Sequence, residues 1–184
     1  MAKLFADFNN CSVIISGHDG RRIAETTVTD HNEKMMSIWV KEQLKGVKAG
    51  ERVNVLIIHP SGVRQFEGTL SGGVNGEYGI LLFGEKDRSS REAKRVTLNA
   101  PATISKVISP TSLPISEPMW ATVENISSNG AMVKSQVMRF QIGSILYVDV
   151  TIGGQETTLY LKIVREVQNA DRSYSFGCQM VFLQ

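Results

Sequence analysis

The stretch Arg52-Val53-Asn54-Val55-Leu56-Ile57-Ile58 sets Val53, Val55 and Ile57 on one face and Arg52, Asn54 and Leu56 on the other. Side chains alternate in this way along an extended strand, and the pattern is that of a half-buried strand in a small barrel. Working outward, runs rich in Val, Ile, Thr and aromatic residues recur between Gly, Asn, Asp and Pro. In the first half they predict strands at 12–16, 22–29, 36–40, 52–58, 64–71 and 78–83. Turn residues stand between them: His18-Asp-Gly20, Ala49-Gly50, His59-Pro-Ser-Gly62 and Gly72-Gly-Val-Asn-Gly76. Helix signals are sparse and confined to a turn within 33–44.

The rhythm breaks at Gly84-Glu-Lys-Asp-Arg-Ser-Ser-Arg-Glu-Ala-Lys-Arg95, which holds no large apolar residue. This stretch reads as a domain boundary, with a long solvated hairpin loop as the alternative. Strands resume at 96–107, where Pro101 interrupts or bends the chain. Three of the five prolines then fall within 109–118, an expected exposed loop. Strands at 120–125 and 131–135 flank Ile126-Ser-Ser-Asn-Gly130. A hairpin at 145–152 and 158–167 turns on Gly153-Gly154, and 174–182 closes the set. The expected fold is therefore all-β: two small antiparallel β-barrels, residues 1–85 and 86–184, with a basic linker at 86–95 opening the second domain.

Composition bounds the function. The chain has 184 residues, 42% hydrophobic and 21% charged, the balance of an ordinary globular protein. Its net charge of +2 is too small for a surface built to coat nucleic acid, so an anion site must come from a local cluster. No stretch approaches the roughly 20 apolar residues of a membrane helix, and the N-terminus lacks a secretory pattern. A cytoplasmic protein without membrane insertion is expected. Cys11 and Cys178 lie at opposite ends of the sequence and are expected as free, partly buried thiols. The wide spacing of His18, His31 and His59 gives no support for a metal site, and no nucleophile elbow or Cys/His pairing suggests catalysis. The Gly-rich run 72–79 lacks the Lys-Ser/Thr of a phosphate loop. Trp39, Trp120, Phe140 and Tyr160 could stack on bases, but in short strands such residues are usually core. The chain is expected not to be an enzyme and to hold no cofactor.

Two elements remain that carry chemistry. Arg88, Arg91, Lys94 and Arg95 lie close together, opposed by Asp87 and Glu92. An arginine fork matches phosphate oxygens and the O6/N7 edge of guanine bidentately, although a solvated linker is the commoner fate of such a run. In Asn125-Ile-Ser127-Ser-Asn-Gly130, an amide and a hydroxyl offer donor and acceptor to a base edge. Gly130 permits a positive φ or a close backbone approach.

In this order the two elements resemble the PilZ domain, a family of bacterial cyclic di-GMP receptors. Arg91-Glu-Ala-Lys-Arg95 before Val96 is similar to the family's R-x-x-x-R, and Asn125-Ile-Ser127-Ser-Asn-Gly130 to its (D/N)-x-S-x-x-G. The tail Tyr174-Ser-Phe-Gly177-Cys-Gln-Met-Val-Phe182 resembles its closing strand, so the likeness covers about residues 88–184. It implies a ligand, cyclic di-GMP, with Arg91 and Arg95 clamping phosphates and guanine edges. It implies also that Asn125 and Ser127 bond a guanine and that Gly130 keeps the turn open. Arg88 and Ser90 would be auxiliary contacts. Ser90 stands where many members carry another Arg, which leaves the number of ligand molecules open, and the C-terminal helix common in the family has no counterpart before Gln184. Gly50-Glu-Arg-Val-Asn-Val and Phe66-Glu-Gly-Thr-Leu resemble the split-barrel-like domain that precedes PilZ in flagellar-brake-type proteins.

The expected function is thus a cyclic di-GMP effector whose barrels rearrange on binding and signal to a downstream protein partner. Motility, biofilm and exopolysaccharide control are the processes the resemblance implies, and oligomeric state is open. The alternatives are a PilZ-fold protein–protein module independent of nucleotide, and a single-stranded nucleic-acid binder, which the near-neutral charge disfavours.

Overall fold

A computed structural model describes residues 7–42, 44, 46–85, 95–109, 117–136 and 140–181. The chain forms two compact units, each a closed barrel of six strands, and no helix occurs among the described residues.

The first barrel is built from β1 (Ser12–Ser16), β2 (Arg22–Asn32), β3 (Ser37–Val40), β4 (Arg52–His59), β5 (Gly62–Val74) and β6 (Glu77–Phe83). Their order around the barrel is β1-β2-β3-β6-β5-β4, with β4 pairing back to β1. Closure removes the sheet edges that would otherwise expose unpaired backbone groups. Val53, Val55 and Ile57 do point into the core, beside Val13, Ile15, Phe66 and Ile80. On the opposite row Arg52 is exposed, but the next two residues of that row are buried too: Asn54 is 3% exposed and Leu56 1%. The alternation marked which side chains fill the barrel, but β4 is not half-buried. The Gly72–Gly76 region also differs from expectation. β5 runs on to Val74, and the chain reverses at Asn75-Gly76, whose φ of +54° and +80° give the two left-handed positions of a type I′ hairpin.

The second barrel holds β7 (Val96–Ile108), β8 (Met119–Ile126), β9 (Gly130–Ser135), β10 (Ile145–Ile152), β11 (Gln155–Gln168) and β12 (Tyr174–Met180). The order is β10-β11-β12-β9-β8-β7, closing through β7 and β10. Leu98, Ile104, Val123, Val133, Leu146, Val148, Leu161, Ile163 and Phe176 are buried in this unit. β7 passes through Pro101 rather than ending there, with Asn99 at a φ of +49° just before it. Cys11 and Cys178 are both buried free thiols. Among the described residues no helix is long and apolar enough to cross a membrane.

Candidate functional site

β8 should send every second residue into the barrel. Ala121 and Val123 obey, both buried, and strict alternation would place Asn125 inside as well. It does not go there. Val123 faces Val133 and Asn125 faces Met132, so Glu124 is an extra, unpaired residue: a β-bulge. The bulge puts Asn125 on the outer face and returns Ile126, fully buried, to the core.

The same device operates on β11. Leu161 and Ile163 point inward, and alternation would send Arg165 after them. Ile163 pairs with Cys178 but Arg165 with Gly177, so Val164 is extra and Arg165 emerges outside, exposed. The two re-aimed residues share one row. Asn125 faces Met132, Met132 faces Gly177, and Gly177 faces Arg165. Three strand spacings separate the ends of this row, roughly 14 Å of backbone. Gly177 lets the row close up. A Cβ there would stand 2.9 Å from Arg165 Cδ, so the missing side chain is what allows the arginine to lie across β12 towards Met132.

The loop between β8 and β9 is tied to itself. Ser127 N donates to the Gly130 carbonyl at 2.8 Å, its hydroxyl donates to the same oxygen at 3.3 Å, and Asn129 N donates back to Ser127 Oγ at 3.4 Å. Met180 N donates to the Asn129 carbonyl at 2.9 Å, which fastens the loop to β12. Ser127 is only 4% exposed, so its first task is to hold the loop's shape. Gly130 is required for close approach rather than for a positive φ: a Cβ would fall on the Cys178 carbonyl oxygen of β12. Asn125 has a different character. Its Oδ1 is buried and finds no hydrogen-bond partner among the described residues. Such a group costs free energy, and a ligand's donor would relieve it.

The structure therefore brings Asn125, Ser127 and Gly130 together on one barrel. Arg95 is exposed and leads directly into β7, the hydrogen-bonded neighbour of β8. Arg88, Ser90 and Arg91 lie outside the described residues. Sequence reasoning did not single out Met132 or Arg165, and it named Gly177 only as part of the closing strand. A bulge leaves no turn signature, but an arginine at an alternation-inward position was a readable anomaly. Trp120 departs from expectation as well: it is 77% exposed, while Phe140 is buried. Among the described residues no group of three or more His, Cys, Asp or Glu is placed to hold a metal ion.

The second barrel thus carries an outward row, Asn125, Met132, Gly177 and Arg165, that ends on a buried acceptor with no partner among the described residues. Residues 89–184, just over half of the chain, match the family model described as the PilZ domain, and the chain belongs to that family. No curated protein sequence matches it. Among solved structures, the K. pneumonia MrkH–c-di-GMP complex is 15% identical, with 95% of this chain and 80% of that chain covered and a TM-score of 0.39. The Bacillus subtilis inhibitor of motility, MotI/DgrA, is 10% identical over 97% of this chain and 90% of that one, with a TM-score of 0.39. YcgR in complex with c-di-GMP, from Escherichia coli, is 7% identical over 94% and 76%, with a TM-score of 0.37. The family assignment rests on the matched domain and not on these distant likenesses.

Proposed function

We propose that this chain is a non-catalytic, cytoplasmic receptor for cyclic di-GMP. Family membership supports the ligand class, and the buried, unpartnered Oδ1 of Asn125 is the observation that carries the reading to this site. A guanine offers N–H donors on its Watson–Crick edge, which suit an amide oxygen held without a partner. Arg91 and Arg95 supply the forks for phosphate oxygens and the O6/N7 edge. Arg95 is close in sequence to β7, and β7 lies beside the strand that carries Asn125. Ser127 keeps the loop in shape and has a lone pair left for the base, with Gly130 holding β9 against β12 and Arg88 and Ser90 as auxiliary contacts. Arg165, lying over Gly177, joins these as a contact that the motif alone does not name.

The domain boundary belongs within 86–95, between residues 1–85 and 86–184. Because that linker carries both arginines, seating it on the second barrel would change how the two barrels are disposed and so pass the signal to a downstream protein. Titration calorimetry tests the reading. Saturable heat with cyclic di-GMP, and none with GMP or single-stranded oligonucleotide, is the expected result. Heat with the oligonucleotide and none with cyclic di-GMP would sink it.

A further inference from the structure

On another part of the second barrel, Trp120 stands 77% exposed on β8. An indole is among the largest apolar surfaces a side chain offers, and buried tryptophans anchor many interfaces. Trp120 is not isolated. It borders a cleft of about 500 Å³ lined also by Pro101 and Thr103 of β7, Asp149 of β10 and Glu156 of β11. Thr158 holds the Asp149 carboxylate by donating its hydroxyl to Oδ1 at 2.5 Å. None of the described residues lining it is basic.

The charges around the indole decide what it fits. Two carboxylates lining the same cleft as an aromatic side chain repel phosphate and attract a cation, so a nucleotide is the wrong occupant for this cleft. Among the described residues, the strands around it place no cation in the cleft. Strands β7, β8 and β10 carry a single basic side chain, Lys106, whose Nζ lies over the Tyr147 ring at 5.2 Å, and Lys162 and Arg165 of β11 do not line the cleft. We propose that the Trp120 cleft is a docking surface for a partner protein's exposed basic segment. An arginine or lysine of the partner covers the indole face while its charge meets Asp149 and Glu156. The proposal is independent of the nucleotide site, which uses the Asn125–Arg165 row.

The test uses the full chain and a capped Arg-Gly-Arg-Gly-Arg peptide, followed by the NMR signal of the Trp120 indole N–H and neighbouring amides. A Glu-Gly-Glu-Gly-Glu peptide is the control. The basic peptide should shift the Trp120 signal saturably, with affinity falling as salt rises. Trp120→Ala and the double variant Asp149→Asn/Glu156→Gln should each weaken binding on the order of three- to tenfold. Trp120 is exposed, so its removal should leave the melting temperature unchanged, which keeps the variant interpretable. Equal affinity in the wild type and both variants, no saturable shift, or an equal response to the acidic peptide overturns the proposal. So does a Trp120 signal that moves with protein concentration alone, because a second copy would then be the occupant.

Discussion

A methyl group added at Gly130 would land on the Cys178 carbonyl oxygen, and β9 cannot keep its pairing with β12 while it is there. Gly130→Ala is expected to lower stability by about 2–3 kcal/mol, read from denaturant unfolding. Asn125 should behave in the opposite sense. Its buried oxygen lacks a partner, a deficit worth roughly 1–3 kcal/mol. Asn125→Ala is expected to keep or raise stability while weakening cyclic di-GMP binding on the order of tenfold. A variant that lost stability and kept its affinity would show Asn125 to be structural. Both residues were legible in the sequence as members of the N-x-S-x-x-G pattern. Their separate duties were not, because the carbonyl that Gly130 faces belongs to a strand almost fifty residues away in sequence.

The strands were the most legible elements. All twelve were expected from runs rich in Val, Ile, Thr and aromatic residues between turn residues, and β1 and β10 have the predicted ends. The larger misses are strands that run on past their expected ends: β2 to Asn32, β11 from Gln155, and β5 through two glycines to Val74, where pairing across a tight hairpin overrides the local preference for a turn. The bulge at Glu124 was not legible, and the one at Val164 was marked only by an arginine at an alternation-inward position. A one-residue slip depends on what the neighbouring strand presents. Their consequence is testable at Arg165: Arg165→Ala should weaken cyclic di-GMP binding on the order of tenfold with little change in melting temperature. Gly177→Ala, which displaces the Arg165 side chain, should move affinity in the same direction. The buried thiol of β12 gives a pH dependence. Burial pushes Cys178 up to about 12 from an ordinary value of 9.0. The folded state therefore resists forming the thiolate that the unfolded chain forms freely. This contribution is fully present below about pH 9 and declines as pH rises from there towards 12. Unfolding free energy should fall between pH 8 and pH 10, and Cys178→Ala should flatten that slope.

At the scale of the whole molecule, two six-stranded barrels were readable from the rhythm of strands, while the boundary expected at 86–95 lies almost wholly outside the described residues. What the linker does could not be derived from that run alone, because a row of arginines and glutamates is as suited to solvent as to phosphate. Under the proposed function, supported by membership of the PilZ family, those arginines meet cyclic di-GMP on the second barrel. The most direct measurement is a calorimetric titration of cyclic di-GMP into the wild-type chain and into Arg91→Ala and Arg95→Ala. Each variant removes charge-assisted hydrogen bonds worth roughly 1.5–3 kcal/mol, so affinity should fall on the order of tenfold to a hundredfold in both, with folding intact. Wild-type affinity in both variants would contradict the account, since the arginine pair would then be solvated linker and nothing more.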